Sequence, residues 1–355
     1  MNGRVTIKDI AKAANVSVGT VDRVIHHRGR VNKQTREAVM DTLASMGYQT
    51  NKIASVLSKN ELIKIALVIP GHNYFFKDII SGAQKACREM ADYNVQLITV
   101  TQDSEKNPVA QLKDFEKTAA QDFNGIIVSP LHPFLFCESI NEAVNKNMPV
   151  VTVNRDSPES SRLCYVGQNP YHAGMLAGRI FGKFLRGNGK VALLSGVQDF
   201  SPLRERTHGF TNAIRQEFPH IVLSDVYPYA DDCIIAYEIT KKLLLQDPSI
   251  QGVFADTTLG TIGIGMAIDE LQKHHDKIAI GYDTQSEVID LLEKNALTAT
   301  ITQNPFSQGY NAASLMNKIL LDGYRPTTTH WYARADIIFH KEQILLIEKR
   351  EMDFE

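Results

Sequence analysis

Residues 18–36 carry the side chains whose types and spacing point most directly to a chemistry, and that chemistry is contact with DNA. Arg23 stands on a short predicted helix beside Val18, Gly19, Asp22 and His26, and Arg28, Arg30, Lys33 and Arg36 follow closely. Cations at this density neutralise phosphates, and an arginine on a helix face can bond a guanine edge at two points. A solvated basic surface would account for any one of them; the cluster beside two short helices points to phosphate. Those helices are legible in residues 6–26, TIKDIAKAANVSVGTVDRVIH. Thr6 can cap the first, whose Ile7, Ile10, Ala11 and Ala14 fall at helical spacing. Asn15 and Val16 make a turn, and Ser17 can cap a second helix that carries Val21, Val24 and Ile25 inward. Two helices this short bury too little surface to stand alone, and the pair reads as a helix-turn-helix whose second helix enters the major groove. A third helix is predicted over 33–46 with Ala38, Val39, Thr42, Leu43 and Met46 on one face and Gly47 as its stop. A short helical stretch over 51–58 then leads into a polar connector, 59–61.

Charge separates this head from the rest. The 355-residue chain carries a net −2, yet residues 1–64 hold 11 Lys and Arg against 5 Asp and Glu, which puts +6 on the head and −8 on the remainder. A basic head on an acidic body is expected where one module meets phosphate and the other does not. The four cysteines, Cys87, Cys137, Cys164 and Cys233, have no CxxC spacing, so neither a zinc site nor a disulfide framework is indicated. No apolar run is long enough to span a membrane, residues 1–20 are charged rather than signal-like, and the expected compartment is the cytoplasm.

From Lys64 onward, strand-like and amphipathic stretches alternate. Apolar runs occur at 65–69, 95–100, 126–129 and 150–153, and a second series at 191–194, 221–223, 253–255, 278–280 and 298–301. Helical stretches such as 78–90, 111–120, 171–185, 204–218 and 236–245 lie between them. This is the pattern of parallel sheets flanked by helices, and two series of similar length predict two doubly wound α/β lobes. Ligands are then expected beyond the carboxyl ends of the strands, in the cleft between lobes.

The segments VTIKDIAKAANVSVGTVDRVI, VNKQTREAV and MGYQTNKIASVL together resemble the headpiece and hinge of the lactose-repressor (LacI/GalR) family. The resemblance implies DNA contact from Thr6, Ser17, Val18, Gly19, Thr20, Asp22, Arg23, His26 and Arg30 in the headpiece, and from Asn51, Ala54 and Leu57 in the hinge. It also implies that Leu57 wedges between base pairs and kinks the site, with Ala54 giving close approach across a dimer axis. The chain departs from the family at Val18 and Gly19, where polar or aromatic side chains are common. It departs again at Asp22, which replaces a small hydroxyl residue and faces DNA favourably only if Arg23 or a cytosine amino group pairs with it. The operator sequence therefore does not follow from those of better-known relatives.

Residues 62–348 resemble the type I periplasmic sugar-binding fold that this family carries as its effector domain. The segments that carry the likeness are Asn73-Tyr74-Phe75-Phe76, Asn154-Arg155, Leu203 to Phe210, Gly281-Tyr282-Asp283 and Thr302-Gln303. The resemblance implies that Asn73, Phe75, Phe76, Asn154, Arg155, Arg206, Thr257, Asp283 and Gln303 line the ligand site. Carboxylates, amides and guanidinium groups suit sugar hydroxyls because they give and take bonds in fixed directions, while aromatic rings cover the C–H face of the sugar. One of Phe75 and Phe76 is expected to serve packing. Arg155 and Arg206 could instead form ion pairs between the lobes, and Asp283 could cap the following helix. Asn154 stands where a carboxylate is usual and Thr257 where asparagine is common; with two arginines and one carboxylate the cleft is less acidic than a typical neutral-sugar site, which leaves a sugar acid or other anionic derivative open beside a neutral sugar.

Enzyme motifs are absent. Gly260, Gly263 and Gly265 follow a strand in the wrong order for a dinucleotide fingerprint, Gly189-Lys190 precedes Val191 rather than a hydroxyl residue, and no GxSxG occurs. His26-His27 and His274-His275 are adjacent rather than one turn apart, so no metal is expected, and no cofactor. The chain thus reads as a helix-turn-helix headpiece (1–50), a hinge (51–61) and an effector domain (62–355) of two lobes, the first about 62–165 with 303–328 and the second about 166–302 with 329–349. The expected function is a homodimeric, ligand-responsive repressor, with double-stranded operator DNA and a sugar or sugar derivative as partners. A sugar receptor serving transport is the rival, disfavoured by the headpiece; a cytosolic sugar-processing enzyme is the third.

Overall fold

A computed structural model describes residues 7–25, 31–46, 62–71, 73–101, 107–196, 201–274 and 276–344. The chain divides into a small N-terminal unit and a body that begins at Leu62.

In the N-terminal unit, α1 (Ile7–Ala13), α2 (Val18–Ile25) and α3 (Lys33–Ser45) enclose a core of Ile10, Ala11, Val21, Val24 and Val39. Asn15 takes the left-handed conformation (φ 51°) that turns the chain between α1 and α2. Ser17 Oγ accepts the Thr20 N–H at 3.0 Å, the cap expected from its place before α2. The inward face of α3 is narrower than its pattern suggests. Val39 is buried and Leu43 and Met46 pack on the core, whereas Ala38 is exposed. A three-helix core this small has room for one stripe of α3. Thr6, His26, Arg30, Asn51, Ala54 and Leu57, with the predicted stop at Gly47, lie outside the described residues.

The body opens with β1 (Ile63–Ile69), α4 (Tyr74–Arg88), β2 (Val95–Thr101), α5 (Pro108–Ala119), β3 (Gly125–Val128), α6 (Cys137–Asn145), β4 (Val150–Val153) and β5 (Cys164–Gly167). The second lobe follows as α7 (Pro170–Phe184), β6 (Asn188–Ser195), α8 (Ser201–Glu217), β7 (His220–Pro228), α9 (Cys233–Gln246), β8 (Ile250–Ala255), α10 (Thr258–Glu270), β9 (Ile278–Tyr282), α11 (Ser286–Glu293) and β10 (Ala299–Ile301). The chain returns through α12 (Pro305–Asp322), β11 (His330–Tyr332) and β12 (Ile337–Ile338). One sheet runs β11-β5-β4-β3-β1-β2 and the other β12-β10-β9-β8-β6-β7. Every pairing is parallel except that of β12 with β10. Strands β3 and β4 are buried along their whole length, as strands covered on both faces must be, which is why they read as near-continuous apolar runs, broken only by the buried Thr152.

The predicted lobe boundaries need one correction. His330–Tyr332 were expected in the second lobe, but β11 pairs with β5 in the first sheet, His330 opposite Tyr165 and Tyr332 opposite Gly167. The first lobe therefore extends to Gly167 and includes 330–332. Three crossovers join the lobes, at 168–169, 302–304 and 333–336. The glycines at 260, 263 and 265 lie inside α10 and serve packing: a Cβ on Gly263 would stand 2.5 Å from the Cys233 carbonyl oxygen. Helices α7 and α8 pack as closely: a Cβ on Gly174 would fall 1.9 Å from the Arg206 carbonyl oxygen.

Candidate ligand site and DNA-contacting face

On α2, Val18, Gly19 and Arg23 are exposed and Asp22 is half-buried. Thr20 is turned back on the cap, its hydroxyl 2.9 Å from that of Ser17. Arg23 Nε donates to the Gly19 carbonyl at 3.0 Å, which steadies the side chain along the helix and leaves its terminal nitrogens for another partner.

In the body, the matched residues fall at or beyond strand ends. Asn73 caps α4, its side chain accepting the Phe76 N–H at 3.1 Å. Phe76 is buried at 4% exposure and packs edge-on against half-buried Phe75, with ring centroids 5.8 Å apart. Of the two rings, Phe75 keeps the accessible surface. Asn154 follows β4 in the left-handed region (φ 62°), and its carbonyl accepts the Tyr165 hydroxyl at 2.9 Å. Arg155 is half-buried beside it.

Four of the matched residues lie around the crossovers. Arg206, on α8, is buried; it donates to the Asp256 carbonyl oxygen (2.9 Å), Gln168 Oε1 (2.9 Å) and Gln303 Oε1 (2.6 Å), and its guanidinium lies 4.1 Å from the Tyr282 ring centroid. Its Nε is buried with no hydrogen-bond partner among the described residues. Gln303 Nε2 in turn donates to Asp283 Oδ1 at 2.8 Å, and the Thr258 hydroxyl donates to Asp283 Oδ2 at 2.5 Å. Among the described residues Arg206 bonds two amides and a carbonyl and makes no ion pair, and the N-cap of α11 is Gln285 rather than Asp283, whose carboxylate is held by Thr258 and Gln303. Thr257 caps α10 through the Gly260 N–H (3.3 Å), and its hydroxyl also meets Tyr229 and Asp231.

Gln168, Tyr229, Asp231, Asp256 and Thr258 belong to the same cluster and were not anticipated. Gln168 bridges two crossovers, since its Nε2 also donates to the Thr302 carbonyl at 3.3 Å. Asp256 is fully buried and accepts from Ser195 Oγ (2.5 Å), the Gly196 N–H (2.9 Å) and the Tyr229 hydroxyl (3.0 Å). A signal for Asp256 did exist: it is the first residue after β8, the strand end where this fold gathers ligands.

Burial pushes the carboxyls of Asp256 and Asp283 up, against the lowering influence of Arg206 and their hydrogen-bond donors. A raised folded-state value means the native chain holds protons that the unfolded chain, at about 3.9 for Asp, has released. The stability from these groups is thus complete below that value and is lost as pH rises through the raised ones. Urea melts should show the stability difference between Asp256→Asn and wild type moving in the variant's favour as pH rises above about 3.9, the unfolded value. A difference independent of pH would mean that Asp256 is ionised throughout.

Residues 65–323 match the periplasmic binding protein domain family, and residues 6–51 match the bacterial regulatory proteins of the lacI family. The ribose operon repressor of Bacillus subtilis strain 168 is 27% identical over 326 residues, covering 89% of this chain and 91% of that protein. The ribose import binding protein RbsB of Escherichia coli K12 is 26% identical over 271 residues, covering 76% of this chain and 89% of that protein. Among solved structures, GanP, a glucose-galactose binding protein from Geobacillus stearothermophilus, aligns with TM-score 0.70 and 29% identity over 78% of this chain and 97% of its own. The chain therefore belongs to the periplasmic binding protein domain family through its body, and its headpiece is that of the lacI family of bacterial regulatory proteins.

Proposed function

We propose that the chain is a homodimeric repressor whose hold on its operator is set by a sugar or sugar derivative bound at the Arg206–Gln303–Asp283 cluster. The observation that carries the ligand site is the buried Arg206 Nε left without a partner among the described residues, beside a carboxylate and two amides, at the crossovers that must move if the lobes close. Such a cluster offers a polyol both donors and acceptors in fixed directions. Relatives named for ribose make D-ribose the first compound to try, with D-glucose, D-galactose and uronic acids beside it.

Two identical headpieces favour a near-palindromic site. The second sheet ends in the nine-residue strand β7, and exposed Val222, Ile234, Ile235 and Leu245 on β7 and α9 supply apolar surface for a second copy. Selection of the full chain on random DNA duplexes, followed by anisotropy titration with each sugar, tests the reading. An enriched palindrome whose affinity one sugar changes is the expected result; no enriched sequence, or no response to any sugar or sugar acid, overturns it.

Arg23→Ala should weaken binding to the selected operator by about 1–3 kcal/mol and relax discrimination at one base pair per half-site. Equal loss on operator and random DNA would show that Arg23 touches phosphate only.

A further inference from the structure

A line of four oxygen-bearing side chains runs along the carboxyl ends of β7 and β8. The Asp256 carboxyl (Oδ1) is 3.0 Å from the Tyr229 hydroxyl, that hydroxyl is 2.6 Å from Thr257 Oγ1, and Thr257 Oγ1 is 2.8 Å from Asp231 Oδ1. Each of these contacts between oxygens needs one hydrogen. Tyr229 and Thr257 bring one each, which leaves the third contact without a proton if both aspartates are ionised. The neighbouring donors are already spent: the Ser195 hydroxyl on Asp256 Oδ2, the Gly196 N–H on Oδ1, and the Gly260 N–H on Thr257 Oγ1.

We propose that Asp256 and Asp231 share one additional proton through Tyr229 and Thr257, so that two aspartates present a single negative charge to the ligand site. The proton has two resting arrangements. With Asp231 protonated, it donates to Thr257, Thr257 to Tyr229 and Tyr229 to Asp256. With Asp256 protonated, all three bonds reverse. The count of charges and protons is the same in both. The charged group facing this line is Arg206 on α8, which bonds the Asp256 carbonyl; Thr207 on the same helix reaches Asp256 Oδ2 at 3.5 Å. Asp283, beyond β9, is engaged separately by Thr258 and Gln303.

The line also reaches into the backbone. Ala230 and Asp231 both sit at φ 52°, a left-handed pair without glycine, held where the Thr257–Asp231 bond ties the turn to α10. Loss of the proton leaves one close contact between oxygens unbridged, and the half-buried turn is the part free to move away. The relevance of this to a sugar rests on the ligand site proposed above; the shared proton does not, and it is tested without ligand.

Carboxyl carbon NMR of the full chain, carbon-13 labelled at aspartate, is the measurement. In wild type, one aspartate carboxyl should remain protonated at neutral pH and titrate only above it. In Asp231→Asn the amide itself supplies the missing hydrogen to Thr257, so the high-titrating signal should vanish while the chain stays folded. Asp256→Asn should do the same from the other end. Asp283→Asn should leave the signal in place. The proposal is overturned if every aspartate of wild type is ionised at neutral pH, or if the signal survives Asp231→Asn, or if it disappears only with Asp283→Asn. Should Asp256→Asn fail to fold, the wild-type titration and Asp231→Asn still decide the matter.

Discussion

Asp283→Ala abolishes the effect of the cognate sugar on operator binding and leaves operator affinity without sugar nearly unchanged. Asp283 lies at the end of β9 in the body, whereas operator contact is assigned to the headpiece, so the two functions separate by residue. Each charge-assisted bond from a carboxylate to a ligand hydroxyl contributes about 1.5–3 kcal/mol, which makes the loss of effector affinity at least about tenfold. The variant also frees Gln303 Nε2 and the Thr258 hydroxyl, which Asp283 now holds. Those donors can be satisfied by solvent, so the fold should survive. Arg206→Ala should silence the response as well, at a larger cost in stability, because it strips partners from Gln168 and Gln303 at two crossovers at once. Effector coupling is reciprocal for binding: in wild type, operator must change sugar affinity by the same factor by which sugar changes operator affinity. Calorimetry with and without operator fragment, on both variants, checks this. A normal response from Asp283→Ala would place the ligand elsewhere.

Gly174→Ala destabilises the chain by roughly 3 kcal/mol, the top of the usual range for overpacking. The added methyl meets main-chain atoms, the Arg206 carbonyl oxygen at 1.9 Å and the Phe210 nitrogen at 2.9 Å, so no side chain can swing aside. Alanine raises helix propensity by up to about 1 kcal/mol over glycine, which does not offset such a clash. Relief requires α8 to move off α7, and α8 carries Arg206, so sugar affinity should fall together with the urea midpoint. A stability change below about 1 kcal/mol, with unchanged sugar binding, would show that the helix pair has slack the packing does not suggest.

Several members of the cluster are legible in the sequence residue by residue, and the reasons differ. Arg206, Asp283 and Gln303 stand out because each lies in a short matched segment, and the structure brings these three into one hydrogen-bonded cluster. Asn73 was found too, yet its visible duty is the cap on α4. Asp256 was missed because a lone aspartate after a strand has no local signature. What distinguishes it is the arrival of Ser195, Gly196 and Tyr229 from the ends of two neighbouring strands.

By itself the sequence determined the kinds of element and their grouping. Helical spacing around Asn15 implies the helix-turn-helix, the charge step near Lys64 separates head from body, and short β-branched runs such as 126–128 and 150–153 read as strands buried on both faces. These are properties of neighbouring residues, and neighbouring residues are what a linear reading sees. Tertiary structure alone decided that β11 closes the first sheet, that Gln168 spans two crossovers, and that Asp256 and Asp231 meet through Tyr229 and Thr257. Strand β11 is three exposed residues long, too short to show a period, and its place is set by the bonds it makes to β5. A buried polar group must find partners wherever the strand order brings them, and that order is fixed by the packing of whole layers rather than by any local stretch of chain.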